Sequence, residues 1–199
     1  MKRFNDYETT KSFSNSPKLP AGAYPIKIQK VRYEEGTNGN SDRIVLKFDI
    51  TEGEFKDFFK KNYEAQTSED KKWKGTFQIY CPKDDGSEKD GWTKSSFKTI
   101  MEDIEASNST FKWDWDENKL EGKLVGGLFG EINTIIDGKP ITYVAMRQTV
   151  SIDNLKSGNY KIPAPKNKNG ATGSAPAPVS TSSDGFMSIP SGSEEEIPF

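Results

Sequence analysis

Histidine is absent from this sequence. That removes the commonest general base and the commonest metal ligand at neutral pH, and with them every Ser–His or Cys–His nucleophile pair. A single cysteine, Cys81, excludes an internal disulfide framework. Cysteine and histidine together are too few for a structural zinc site. No apolar run approaches the ~18 residues that cross a bilayer. Behind Lys2-Arg3 there is no apolar segment of the kind a signal peptide needs. These absences point away from an enzyme, a cofactor, a metal or a membrane, and towards a cytosolic binding protein.

Basic residues are also missing, but only from one end. The chain carries 28 Lys and Arg against 30 Asp and Glu, for a net charge of −2. Residues 169–199 contain no Lys or Arg and four acids, Asp184, Glu194, Glu195 and Glu196, so residues 1–168 hold the other 26 acids and are mildly basic. A basic body with an acidic end is compatible with nucleic-acid binding without requiring it.

Aromatic residues are plentiful: 12 Phe, 7 Tyr and 4 Trp. Residues 1–18, with scattered Phe4, Tyr7 and Phe13, read as a loosely held arm. From Ala23 to Glu35 the apolar positions alternate as in a strand. Tyr24, Ile26 and Ile28 set one phase and Val31 and Tyr33 the other, which predicts a bulge or bend. After the turn Gly36–Asn40, Arg43–Thr51 predicts a second strand with Ile44, Leu46, Phe48 and Ile50 inward, hairpin-paired with the first. Glu54–Tyr63 changes to helical spacing, with Phe55, Phe58, Phe59 and Tyr63 on one side and Lys56, Lys60 and Lys61 outside, open to either a short packed helix or a basic-aromatic contact surface for nucleic acid. Lys74–Cys81 predicts a third strand. Pro82–Gly91 reads as a hydrophilic loop whose acids do not match calcium-loop spacing. Ser95–Ala106 is a helix with Phe97, Ile100, Met101 and Ile104 in one stripe, capped by Ser95 or Ser96.

Phe111–Trp115 is an aromatic cluster, open to either half-buried packing or base stacking. Lys123–Ile136 predicts a fourth strand broken at Gly126-Gly127, either for a barrel corner or to admit a phosphate. Asp137-Gly138 predicts a tight hairpin turn. Pro140–Ile152 predicts a fifth strand with Ile141, Tyr143, Ala145, Arg147 and Thr149 on one face. From Asn154 the chain is expected to leave the fold through Tyr160-Lys161-Ile162-Pro163. Beyond it, Gly, Ala, Pro, Ser and Thr dominate, too polar to offset the entropy of ordering.

Strand, strand, strand, helix, strand, strand is the order of the OB-fold, a five-stranded, partly open Greek-key barrel with a capping helix that binds oligonucleotides or oligosaccharides. A mainly β body over residues 19–166, a disordered linker over 167–192 and an acidic tip over 193–199 is the expected organisation. Another small β-barrel or sandwich is the rival fold. Cations interleaved with rings suit single-stranded nucleic acid, because cations meet phosphates and rings stack on bases of any sequence. Candidates on strands are Lys27, Arg32, Arg43, Lys47 and Arg147, with Tyr80 and Tyr143. Trp73, Lys74, Trp92 and Lys94 flank the third strand and complete the set.

The body resembles the single-stranded-DNA-binding proteins encoded by phages of Gram-positive bacteria. The resemblance runs through LPAGAY at Leu19–Tyr24, DRIVLKFDITEGEFKDFF, KWKGTF, FKWDWDENKLEGKLVGGLFGEI and GNYKIPAPK. It implies an OB-type fold, a role in phage DNA replication or recombination, and the host cytoplasm as its place of action. The tip, Glu194-Glu195-Glu196-Ile197-Pro198-Phe199, resembles the acidic C-terminal tip of bacterial single-strand-binding proteins, with Glu for Asp. That likeness implies that Phe199 enters an apolar pocket on a replication or recombination enzyme, its carboxylate meeting a basic residue and the Glu run a basic rim. The alternative is a recombination mediator or other interaction module that binds protein rather than DNA. Homo-oligomers fit either reading.

Overall fold

The computed structural model describes residue 5 and residues 18–37 and 39–168. The arm before Lys18 apart from Asn5, Asn38 of the first turn, the linker from Asn169 and the acidic tip lie outside the described residues.

Five long strands and a short sixth form one mainly β sheet: β1 (Gly22–Glu34), β2 (Arg43–Ile50), β3 (Thr76–Tyr80), β4 (Leu124–Ile136), β5 (Lys139–Val150) and β6 (Lys166–Asn167). The order across the sheet is β3-β2-β1-β4-β5, every neighbour antiparallel, with β6 added parallel to β4. β1 serves two partners. Its first half pairs with β4 over Gly22–Lys27, and from Ile26 to Glu34 it pairs with β2. The joint is the expected bulge: the register steps between Ile28 and Lys30, so Gln29 has no partner on β2. The edge strands β3 and β5 touch, which curls the sheet towards closure.

Inside lies one apolar core. Ile26 and Ile28 of β1, Ile44, Leu46, Phe48 and Ile50 of β2, Phe77 and Ile79 of β3, and Val125 and Phe129 of β4 are all buried in it. Phe129 is its aromatic centre, with Tyr24, Phe48 and Phe59 rings 5.4, 5.9 and 6.4 Å away. Helix α2 (Glu88–Ser107) supplies Phe97, Ile100, Met101 and Ile104, the stripe read from the sequence.

Several boundaries differ from expectation. Helix α2 begins two turns early, within the stretch read as a hydrophilic loop, and its cap is Ser87, which accepts from the Asp90 N–H at 3.1 Å. Asp90 in turn accepts from the Lys83 and Asp84 N–H groups. Polar capping defines that start, so apolar spacing was silent there. The first helix is the short α1 (Phe58–Glu64), after turns through Gly53–Asp57. The buried Asp49 carboxylate holds it, accepting from the Ile50, Phe59 and Lys60 N–H groups at 2.9, 3.0 and 2.9 Å. β4 is continuous through Gly126-Gly127. β5 stops at Val150, and its alternation breaks at a second bulge. Met146 opposes Phe129 and Gln148 opposes Leu128, so Arg147 is the extra residue. Thr149 therefore turns to the inner side, where its hydroxyl meets Asp103 of α2 at 2.5 Å. It does not share a face with Ile141, Tyr143 and Ala145.

The largest correction concerns residues 152–168, which do not leave the fold. Ser151 caps a helix, α3 (Ile152–Ser157), ended by Gly158 at φ 74°. The chain then returns across β4 and ends as β6. We call this return the strap.

Candidate nucleic-acid interface

Strand alternation puts every second residue of β1, β2 and β3 on the outer face of the sheet. Register sorts them into three cross-strand rows: Glu34, Arg43 and Tyr80; Arg32, Val45 and Gln78; Lys30, Lys47 and Thr76. Of the residues expected to bind DNA, Arg32, Arg43, Lys47 and Tyr80 are thus brought onto one face, about 10 Å across three strands. No helix or strand of the described residues covers these rows.

The rows differ in charge. Glu34 accepts from Arg43 Nε at 2.6 Å and from Arg32, so one carboxylate serves two guanidiniums. Arg43, first, and Arg32 hold that carboxyl below the usual glutamate range. Lys30 and Lys47 lie directly opposite each other. Lys30 reaches Glu121 at 3.6 Å while remaining largely exposed. Lys47 Nζ sits 4.1 Å from the centroid of the Trp73 ring.

Trp73 is fixed by backbone geometry. Its indole N–H donates to the Phe48 and Gly75 carbonyls at 3.3 and 3.1 Å. Gly75 makes this possible, since a Cβ there would fall 2.5 Å from the Phe48 oxygen and 2.7 Å from the Phe59 ring. The close approach lays the indole at the margin of the sheet, beside Lys47. Tyr63 of α1 extends the cluster, its ring 5.8 Å from Trp73 with Lys71 Nζ 6.0 Å above it. At the other end of the face Tyr80 is 44% exposed.

The remaining expected residues lie at the margin of this face or away from it. Lys74 is exposed next to Trp73. Lys27, exposed on β1 ahead of the bulge, shares a row with Asp49 at the end that α1 covers. Trp92 and Lys94 lie on α2 instead of in a loop, and the Lys94 ammonium is held by Asp90 at 2.9 Å and by Asp84. Asp84, first, and Asp90 raise its pKa and occupy its charge. Tyr143 and Arg147 lie on β5, beside the strap.

Of two ambiguous motifs, the glycine pair resolves into packing and the aromatic cluster does so only in part. At Gly126 an added Cβ would meet Val150 and Leu155 side chains at 2.6 and 2.7 Å; at Gly127 it would meet Phe129 and Met146 at 2.9 and 3.2 Å. Side chains fill the space a phosphate would need. In the Phe111–Trp115 cluster, Phe111 is in the core and Trp113 packs on Phe97. Trp115, at φ 70°, stacks on Phe97 with a centroid separation of 6.1 Å and stands 78% exposed.

Lys30, Gln78 and Lys71 escaped the sequence reading. The phase flip in β1 was the available signal for Lys30, because counting from Val31 puts Lys30 and Arg32 outside together. Tyr63 lies in the stretch left open between packing and a basic-aromatic contact, and it is 36% exposed. Chemically, the face offers exposed ammonium and guanidinium groups beside flat rings. It offers no nucleophile–base pair, and among the described residues no three Cys, Asp or Glu side chains converge as metal ligands. No helix of the described residues is long and apolar enough to cross a membrane. Neither a protein-family model nor a curated protein matches the chain.

Proposed function

We propose that this protein binds single-stranded DNA without sequence preference on the outer face of β1, β2 and β3, and that its body is an OB-fold. Support for the fold comes from the strand order β3-β2-β1-β4-β5, the contact between β3 and β5, and the helix between β3 and β4. The observation that carries the binding reading is the uncovered Lys47–Trp73–Tyr63–Lys71 cluster beside Lys30, Arg32, Arg43 and Tyr80. Cations that neutralise phosphates and rings that accept any base are the two components such binding uses.

In this reading the protein acts in phage DNA replication or recombination, as a binder and not an enzyme. The tip Glu194–Phe199 then recruits a partner enzyme while the body stays on its strand. The test is a titration of single- and double-stranded DNA against the full chain and a truncation ending at Lys168. Poly-dT binding that weakens with salt supports the proposal, and truncation should leave it intact or tighter. No binding at low salt would sink it.

A further inference from the structure

The strap brings two cations of its own, Lys166 and Lys168, beside Arg147 of β5. Lys166 pairs in register with Ile132, which pairs with Tyr143, so Lys166 and Tyr143 stand in one row across β6, β4 and β5. The Lys168 N–H donates to the Asn133 carbonyl at 2.8 Å. Asn133 and Asn167 side chains bond at 2.9 Å, and Thr142 closes on Asn133 at 2.7 Å. Arg147, the bulged residue of β5, donates to the Ala164 carbonyl of the strap. Its stem passes over Gly130, where an added Cβ would lie 3.2 Å from Arg147 Cδ and 3.0 Å from the Pro163 oxygen.

Among the described residues no ion pair reaches Arg147, Lys166 or Lys168. Burial lowers the pKa of Arg147; burial, then Lys166 and Arg147, lowers that of Lys168. Like charges gathered and partly desolvated without a carboxylate are unfavourable in the free protein. A bound anion relieves that cost. Tyr143, 37% exposed, supplies a ring in the same row.

We infer that Arg147, Lys166 and Lys168, with Tyr143, form a second phosphate-binding station, engaged by the same single strand after it crosses the outer face of β1, β2 and β3. This rests on the DNA-binding reading above. Because β3 touches β5, a strand crossing β3 reaches β5 without leaving the protein surface. The strap, then, is part of the binding surface and not a mere exit from the fold.

The experiment is a salt titration of the full chain with a dT oligonucleotide of about 20 nucleotides, longer than the roughly 4–16 that an OB-fold occupies. Wild type is compared with the K166Q/K168Q double variant, and thermal melting verifies that both are folded. The expected result is a salt slope shallower by about 1.4, near 0.7 for each phosphate no longer neutralised, and affinity on the order of tenfold weaker at ~0.1 M salt. Wild-type binding with an unchanged slope in the folded variant would overturn the second station and leave the first face standing. Failure of wild type to bind at all would overturn both.

Discussion

The outer surface of one sheet is treated in two opposite ways. On β1, β2 and β3 it carries long charged and aromatic side chains, and no helix or strand of the described residues lies across it. On β4 it carries Gly126 and Gly130 alongside Leu128 and Ile132, and α3 and the strap lie across it. Small residues there let a second layer of chain come close; Pro163 sits directly over Gly130. A sheet face stripped of side-chain bulk is built to be covered by its own chain. A face of lysines, arginines and rings has the chemistry that the DNA-binding proposal calls on. The contrast also explains why β4 is nearly continuous in apolar and small residues, as expected for a strand buried on both sides.

That contrast yields tests that separate stability from binding. The largest effect should come from the covered side. Gly126→Leu forces a side chain into Val150 and Leu155 and towards the Val150 carbonyl, and overpacking of this kind should cost about 3 kcal/mol. Denaturant unfolding would measure it, while strand affinity per folded molecule should hold. An unaffected midpoint would mean that α3 is not firmly seated on β4.

On the open side the signature should reverse. Tyr80→Ala should weaken dT binding by about 1–3 kcal/mol if the ring stacks on a base, and should move stability by no more than about 0.5 kcal/mol. Fluorescence anisotropy and a thermal melt would report the two quantities separately. Equal losses in both would make Tyr80 a packing residue. Lys47→Gln should act more gently, making the salt slope shallower by about 0.7. Retention of the full slope would remove Lys47 from the phosphate path.

The smallest effect concerns pH. Glu34 carries a lowered pKa because Arg43 and Arg32 hold its charged form. The stability this contributes is fully present above the ordinary glutamate range and is lost as pH falls through the lower folded value. The same protonation releases two guanidiniums on the open face, so strand affinity should rise modestly over that window. Glu34→Gln should reproduce the rise at neutral pH and flatten the acid dependence. A variant that keeps the wild-type acid profile would show that Glu34 does not restrain the arginines.

The two sides were also unequally legible in the sequence. Ile44, Leu46, Phe48 and Ile50 alternate cleanly, and so the outward positions between them, Arg43 and Lys47, were readable as a face. The phase flip between Ile28 and Val31 announced the bulge. The sharing of Glu34 by Arg32 and Arg43 was not readable, because it depends on cross-strand register. The strap was invisible for a different reason. Its residues from Asn159 to Lys168 have neither a helical nor a strand period, and what holds them is on a distant strand: the room above Gly130 that Pro163 fills, and the pairing with Ile132 and Asn133. Trp92 and Lys94 were misplaced because the first two turns of α2 are stabilised by Ser87 and Asp90 and not by an apolar stripe.

Gln29 is the bulged residue of β1, and it occupies a single codon. Deleting that single codon would leave the inside–outside order of β1 unbroken, with Ile28 in, Lys30 out and Val31 in, and every cross-strand partner the same. What would vanish is the bend that lets one strand serve two neighbours. The hydrophobic message of the strand and its curvature are thus written in separable letters, and a three-base deletion would edit the second without touching the first.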